Sequence, residues 1–321
     1  MTKNINFRER SIIECMLKSA YKLIEISRCI GRSYKTIKRE VGRCFTGNYN
    51  AHLAQQNAAI KMSRAQHFTL STATKNYIDH HLIENKWSPM IISKRLFLEG
   101  LQVVSHSYIY QYIATDKKQG GNLYQHLTHA EGYSHNRGYK GSIENRVSIH
   151  ERPLIANDRQ RVGDVEIDLI VSPKNQGASI ISVVDRKSRY CALTKTNNKT
   201  KERVAKKVVD QCNNIAFAVQ TITSDNGTEF SAHENIANTL KVGYYFADPY
   251  ASYQRGSIEQ LNGLVRRFIP KGTAINTIDD LTIKMVEDKL NKRPRKVLEW
   301  KSPIEYLVTH NVQPKSGRLR V

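Results

Sequence analysis

Three carboxylates in this 321-residue chain stand where they could act on a phosphate ester. Asp168 lies inside VGDVEIDLI, Asp225 opens the tripeptide of TSDNGTEF, and Glu259 sits in GSIEQLNGLVRRF, with 33 residues between the last two. Hard-oxygen ligands of this kind hold Mg2+ together with substrate phosphate. Two such ions, about 3.5–4 Å apart, can activate an attacking oxygen and stabilise the leaving one. One bridging carboxylate and one for each ion is the least the protein must supply. Asp168, on what reads as a central strand, is best placed to bridge, leaving Asp225 and Glu259 one ion each. Each residue also has a plain structural reading: Asp at a strand end is a turn or cap residue, Asp-Asn-Gly is a turn tripeptide, and a helical Glu is solvated. The three in this order are more specific than any one alone. Asp164, Glu166 and Asp185 are rivals: Asp164 precedes the strand, Asp185 lies in a turn, and Glu166 shares a face with Asp168, either assisting it or merely neighbouring it.

The elements that position these groups follow from periodicity. Val165, Ile167, Leu169 and Val171 alternate with Glu166, Asp168 and Ile170, the pattern of a strand. Residues 180–184 and 190–196 read as two more strands joined by a turn, 199–216 as a helix, and 221–223 as a short strand. A helix over 230–240, a strand over 243–246 and a helix over 257–268 complete the order β-β-β-α-β-α-β-α, which suits a mixed sheet covered by helices.

Fifty Lys and Arg against 29 Asp and Glu leave a net charge of +21. Such a surplus points to a polyanion, nucleic acid first, and it runs through both halves of the chain, which excludes a neutral enzyme with one basic tail. Cys15, Cys29, Cys44, Cys191 and Cys212 are scattered and odd in number, with no C-x-x-C pair. This suits free thiols in a reducing cytosol better than a disulfide framework or zinc site. The opening MTKNINFRERS has no apolar signal segment, and no run approaches the roughly 18 apolar residues of a membrane span.

Residues 7–62 read as helices with short breaks. Gly31 ends the second, Ser33 is an N-cap for a third, and Arg32, Lys35, Lys38, Arg39 and Arg43 make that third helix basic. This is the outline of a helix-turn-helix that would lay these five residues on DNA. A second unit opens at Trp87-Ser-Pro, runs to Gly100 and resumes at Ser105. Either unit alone could equally be an ordinary αα-hairpin. Residues 114–150, rich in glycine, histidine and basic residues, read as an irregular linker whose histidines lack metal spacing.

VGDVEIDLI resembles the first catalytic block of DDE transposases of the IS-thirty family, commonly G-x-W-E-x-D-x-I. TSDNGTEF resembles the second, and DPYASYQRGSIEQLNGLVRRFIPKGT the third, usually P-Y-x-S-W-E-R-G-x-N-E-N-x-N-G-L-I-R. LNKRPRKVLEWKSPIEYL is similar to the family's closing motif, and the tandem helical units with DKKQGGNLYQHL to its DNA-binding half, so the resemblance spans roughly residues 5–308. Val165, Tyr253, Gln254, Ile258 and Gln260 depart from the pattern, but none is a triad carboxylate.

The resemblance implies an α/β fold: an RNase H-like, retroviral-integrase-type catalytic core preceded by all-α helix-turn-helix domains. The expected divisions are 1–65 (first helix-turn-helix), 66–115 (second), 116–154 (basic linker), 155–272 (core) and 273–321 (helical segment and basic tail). It implies catalysis by Asp168, Asp225 and Glu259 with two Mg2+ ions, or Mn2+ in their place. It implies cleavage and strand transfer at the terminal inverted repeats of a mobile element, into target DNA, by a homo-oligomer. Arg255, Asn262, Arg266 and Arg267, retained or equivalent beside Glu259, could hold phosphate, and any single arginine could equally be an ordinary surface residue. The family implies a cytoplasmic protein at the bacterial nucleoid. Two rival functions remain: a helix-turn-helix regulator with an inactive nuclease-like core, and a plain nuclease without end joining.

Overall fold

The computed structural model describes residues 4–44, 48–66, 69–127, 143–173, 177–249 and 251–312, and the side chains of 61–66 are not among what it describes. Residues 128–142 of the glycine- and histidine-rich segment, and the basic tail from 313, therefore lie outside the described residues. The chain divides into two compact units, Met1–Ser71 and Thr72–Val321.

The first unit is helical: α1 (Phe7–Lys18), α2 (Leu23–Ile30), α3 (Tyr34–Val41) and α4 (Ala51–Gln66). Ile5, Ile13, Ile26, Ile37, Tyr49 and Ala54 form its core. Gly31 ends α2 with φ +69°, a conformation glycine adopts without a Cβ penalty. Ser33 caps α3 by accepting from the Thr36 amide, as its position predicts. A buried ion pair, Arg10 Nε to Glu40 Oε1 at 2.7 Å, ties α1 to α3.

The second unit begins with α5 (Thr72–Ile83), α6 (Pro89–Arg95) and α7 (His106–Lys118). Ser88 and Ser105 cap α6 and α7, with Pro89 in the first turn of α6. α6 stops at Arg95, five residues short of Gly100, and turns carry the chain between them. Ile78, Leu82, Ile92, Leu96, Ile109 and Ile113 are buried in this helical part. After the short helix α8 (Leu154–Asn157) the chain enters the sheet.

The sheet comprises β1 (Asp164–Val171), β2 (Ser179–Asp185) and β3 (Cys191–Thr196), then, after helix α9 (Lys201–Asn214), β4 (Thr221–Ser224), and, after α10 (His233–Leu240), β5 (Gly243–Phe246). The order is β3-β2-β1-β4-β5, with β2 antiparallel to its neighbours and β4 and β5 parallel to β1. Gly163 at the mouth of β1 has φ +109°, and a Cβ there would stand 2.3 Å from the Ala218 carbonyl, so only glycine fits. The alternation in β1 sorts two cores. Val165, Ile167 and Leu169 pack with Val204 and Val208 of α9, Phe230 and Phe246. On the other face Ile170 packs with α11 (Gly256–Val265) and α12 (Asp280–Asn291) through Ile258, Leu261, Val265, Ile283, Val286 and Leu290. The last helix, α13 (Pro303–Thr309), adds Leu307 to the first core.

The edge of β3 is closed by side chains of α12. Asn291 both accepts from the Cys191 amide at 2.8 Å and donates to its carbonyl at 2.7 Å, and Glu287 accepts from the Leu193 amide at 2.7 Å. Such mimicry satisfies edge groups that would otherwise pair with another chain. Among the described residues no helix is long and apolar enough to cross a membrane.

Candidate active site

The register places Asp168 and Asp225 side by side. Glu166 pairs with Thr223 across the parallel β1–β4 ladder, so two residues on, past the end of β4, Asp225 is level with Asp168. The two carboxylates meet at one guanidinium. Arg255 Nη1 lies 3.9 Å from Asp168 Oδ1, and its Nη2 lies 3.9 Å from Asp225 Oδ2. The Arg255 side chain is only 10% exposed, against 22% for Asp168 and 28% for Asp225. The arginine thus forms the floor of the pair, with the carboxylates nearer solvent.

Each carboxylate is oriented by local bonds. Asp225 Oδ1 accepts from the Gly227 amide at 2.9 Å, an Asx turn. Asn226 is held on both sides, donating to the Ala247 carbonyl and accepting from Arg146. Asp168 Oδ1 accepts from the Leu169 amide at 2.9 Å. Asp168 Oδ2 accepts from Asn262 Nδ2 at 2.8 Å.

Glu259 rides on α11, four residues after Arg255 and three before Asn262, so the three share one helix face. That face looks at β1, because Arg255 and Asn262 both reach Asp168. Among the described residues, however, no three His, Cys, Asp or Glu side chains are gathered as if to hold a metal ion. Two triad candidates converge, and the third stands on the facing helix without closing the cluster. The donors are carboxylate oxygens throughout, the chemistry a hard dication such as Mg2+ prefers.

The rival carboxylates have structural work. Glu166 is fully buried. Its Oε1 accepts from Arg186 Nη1 at 2.6 Å and its Oε2 from the Ile258 amide at 2.8 Å. It therefore caps the first turn of α11, which lacks a side-chain cap of its own at the N-cap position. Asp164 pairs with Arg161 and accepts from Thr221 Oγ1. Asp185 is buried and accepts from the amides of Gly163, Lys187 and Ser188 and from the Ser188 hydroxyl. Burial pushes its carboxyl up to about 6, against the opposing pull of those donors.

The basic candidates separate into two groups. Lys35, Lys38 and Arg39 are exposed along one side of α3. Arg32 pairs with Glu9 at 2.9 Å and Arg43 with Glu40 at 2.6 Å, within the first unit. In the second unit Arg266 donates to the carbonyls of Val171 and Pro270. Arg267 donates to those of Lys86 and His126, the Lys86 carbonyl also receiving Arg293 at 2.7 Å. These bonds tie α11 and α12 to the chain around α5 and α7. Sequence reasoning singled out neither Asn262 as an Asp168 partner nor Glu166 as a cap. Two signals pointed toward Asn262: the asparagine of the family's third block, read as a phosphate holder, and helical spacing, which puts it on the Glu259 face.

Of the positions that depart from the family pattern, Val165 and Ile258 fill the two cores, and Tyr253 and Gln260 are exposed. Gln254 clasps Asp248 through its amide and carboxylate.

The sequence profile of the integrase core domain family matches residues 159–252, a span that includes Asp168 and Asp225 and ends short of Glu259. The chain is 36% identical to the transposase for insertion sequence element IS4351 of Bacteroides fragilis, over 95% of each chain. It is 33% identical to the transposase for insertion sequence element IS1086 of Cupriavidus metallidurans, over 93% of this chain and 92% of that one. It is 29% identical to transposase InsI for insertion sequence element IS30A of Escherichia coli, over 95% of this chain and 83% of the relative.

Proposed function

We propose, from the premise that this chain belongs to the IS30 family of DDE transposases, that it binds the terminal inverted repeats of an insertion sequence and catalyses Mg2+-dependent DNA cleavage and strand transfer through Asp168, Asp225 and Glu259. The observation that carries the reading is the convergence of Asp168 and Asp225 on one buried guanidinium, from adjacent parallel strands.

The residues divide the work as follows. Asp168 Oδ1 and Asp225 Oδ2, the oxygens turned to Arg255, bound the point where a reacting phosphate is held. Asn262 and the Gly227 amide fix the orientation of the two carboxylates from their other oxygens. Glu259 turns from the facing helix to complete the set when DNA is seated. Mg2+, or Mn2+ in its place, supplies Lewis-acid polarisation of the phosphate and lowers the pKa of the attacking hydroxyl when bound. In cleavage a water oxygen forms the new P–O bond and the released strand keeps a 3′-hydroxyl. In joining that hydroxyl attacks a target phosphodiester, whose 3′ oxygen departs, with no covalent protein–DNA intermediate. Lys35, Lys38 and Arg39 of α3 read the repeat from the major groove, the arrangement of a helix-turn-helix. A homo-oligomer would pair the two ends.

The test is purified protein with labelled terminal-repeat duplexes and Mg2+, reading cleavage and joining. Asp168→Asn, Asp225→Asn and Glu259→Gln should each abolish both while keeping repeat binding, since losing one ligand disables the ion pair. Wild-type protein that binds repeats but neither cuts nor joins would favour a regulator with an inactive core. Full cleavage in all three variants would end the two-metal reading.

A further inference from the structure

Residues 199–207, KTKERVAKK, hold five cations and one acid. Helix α9 turns Val204, Ala205 and Val208 into the core beneath the sheet. That leaves Lys201, Arg203 and Lys206 exposed, with Lys199 just before the helix and Lys207 half-buried. None of these five engages a carboxylate among the described residues. Thr200, Glu202, Arg203, Lys206, Lys207 and Asp210 line a shallow open groove there. Three of the cations line it against two acids, Glu202 and Asp210, and with Lys199 and Lys201 beside it the stretch 199–210 keeps a surplus of three positive charges.

The topology says where this ridge lies. Val171 at the end of β1 is level with Ser179, which pairs with Thr196 at the end of β3. β3 therefore runs parallel to β1 and delivers residues 199–207 to the same carboxyl edge of the sheet as Asp168 and Asp225. α9 also packs against the 3-10 turn Thr228–Phe230, which begins three residues after Asp225. The ridge and α11 occupy opposite faces of the sheet and share one rim. A sheet with a helix on each face is about 20 Å thick. That is about six phosphate steps along one DNA strand.

We propose that the cations at the start of α9, Lys199 just before it, Lys201 in its first turn, Arg203 and Lys206 on its outer side and the half-buried Lys207, are a phosphodiester track that grips the duplex running on from the reacting phosphate over the carboxyl edge of the sheet. The occupant is the backbone of double-stranded DNA. Flexible lysines without base-reading geometry hold phosphate whatever the sequence. The path of the duplex rests on the proposed active site, but the grip itself is measurable without catalysis.

The experiment uses the full chain in EDTA, so that failure of the triad reading leaves the result intact. Binding to a non-specific duplex is measured across a salt titration for the wild type and for a variant carrying Lys201→Ala, Arg203→Ala, Lys206→Ala and Lys207→Ala. The slope of log K against log salt should become shallower by about two to three, at roughly 0.9 per lost phosphate contact. The charge-keeping set Lys201→Arg, Arg203→Lys, Lys206→Arg and Lys207→Arg should retain the wild-type slope. If the four-fold variant fails to fold by circular dichroism, the pair Arg203→Ala and Lys206→Ala, both exposed, should give about half the change. Repeat duplexes lengthened on either side, and joining of a pre-cut end to a target plasmid with Mg2+, separate the two sources of duplex. A loss confined to the lengthened repeats assigns the track to the element's own flank, and a loss confined to joining assigns it to target DNA. An unchanged slope with every duplex overturns the proposal, as does a loss seen with duplex RNA alone.

Discussion

Asn262 donates from Nδ2 to Oδ2 of Asp168 across 2.8 Å, and its own Oδ1 accepts from Ser182 Oγ at 2.9 Å. A residue of α11 is thereby keyed to β1 and β2 at once, and Glu259 sits one helical turn before it. Asn262→Ala should lower cleavage about 10- to 100-fold, the usual effect of removing a partner that orients a metal-binding carboxylate. Asn262→Asp should cost more, because it sets a like charge against Asp168. Single-turnover cleavage with melting temperatures in parallel checks this. An effect on melting alone would make Asn262 purely structural.

Glu166 reaches Arg186 and the Ile258 amide from a site with no solvent. Glu166→Gln can serve one of these donors but leaves the buried guanidinium without its counter-charge. Breaking one side of a buried pair costs about 3–5 kcal/mol. We expect a loss of about 3 kcal/mol, since glutamine keeps the shape and one acceptor. Urea unfolding measures it, and a loss below about 1 kcal/mol would contradict the capping role.

Much of the site was legible in local pattern. The alternation through Val165 and Asp168 separates the two faces of β1, Ser33, Ser88 and Ser105 cap the helices they precede, and Asp225-Asn-Gly turns where a turn tripeptide should. What stayed hidden depends on distant partners. Glu166 meets the Ile258 amide 92 residues away, and Asn291 covers β3 from 100 residues away. No periodicity encodes such pairs. Arg267 illustrates the converse: its charge and its nearness to Glu259 suggest phosphate, yet its donors go to the carbonyls of Lys86 and His126. A guanidinium can bind backbone as readily as an anion, and composition alone does not tell which.

On α3 the exposed cations should read DNA and the paired ones should not. Lys38→Ala with Arg39→Ala should weaken repeat binding and lower its salt slope by about one to two. Arg32→Ala and Arg43→Ala remove partners of Glu9 and Glu40. Each should cost about 1 kcal/mol of stability or less, because these pairs are partly exposed. Salt titration beside thermal melting separates the two. Equal slope changes from both sets would show that the ion pairs open on DNA.

His81 stacks on Trp87 at 4.0 Å between ring centroids and shares a hydrogen bond with Asn85. Burial pulls its imidazole down to about 4, with His80 and Arg95 adding to the effect. The unfolded chain, near 6.5, therefore binds more protons than the folded one between these values. Stability contributed by neutral His81 is full above about 6.5 and is lost as pH falls toward 4. Allowing for partial exposure, the loss should reach about 2 kcal/mol. His81→Phe should flatten that part of the stability curve. An identical pH dependence in wild type and variant would locate the titrating group elsewhere.

Arg255 decides between two roles that its charge alone leaves open. Placed 3.9 Å from both Asp168 and Asp225 and largely buried, it is positioned to act on the carboxylates, and the expectation is that it does so in preference to gripping phosphate. It neutralises part of the negative charge that would otherwise force the pair apart, so Arg255→Gln should lower the melting temperature of the metal-free protein. The same positive charge opposes an arriving dication. A unit charge about 5 Å from a divalent ion in a water-like medium is worth about 1.7 kcal/mol. Mg2+ or Mn2+ should therefore bind Arg255→Gln about tenfold more tightly, measured by calorimetry or by the metal-induced rise in melting temperature. Arg255→Lys keeps the charge but not the fork, and should stay near the wild-type affinity. If Arg255 instead grips DNA phosphate, Arg255→Gln will leave metal affinity unchanged and lower the salt slope of DNA binding by about one.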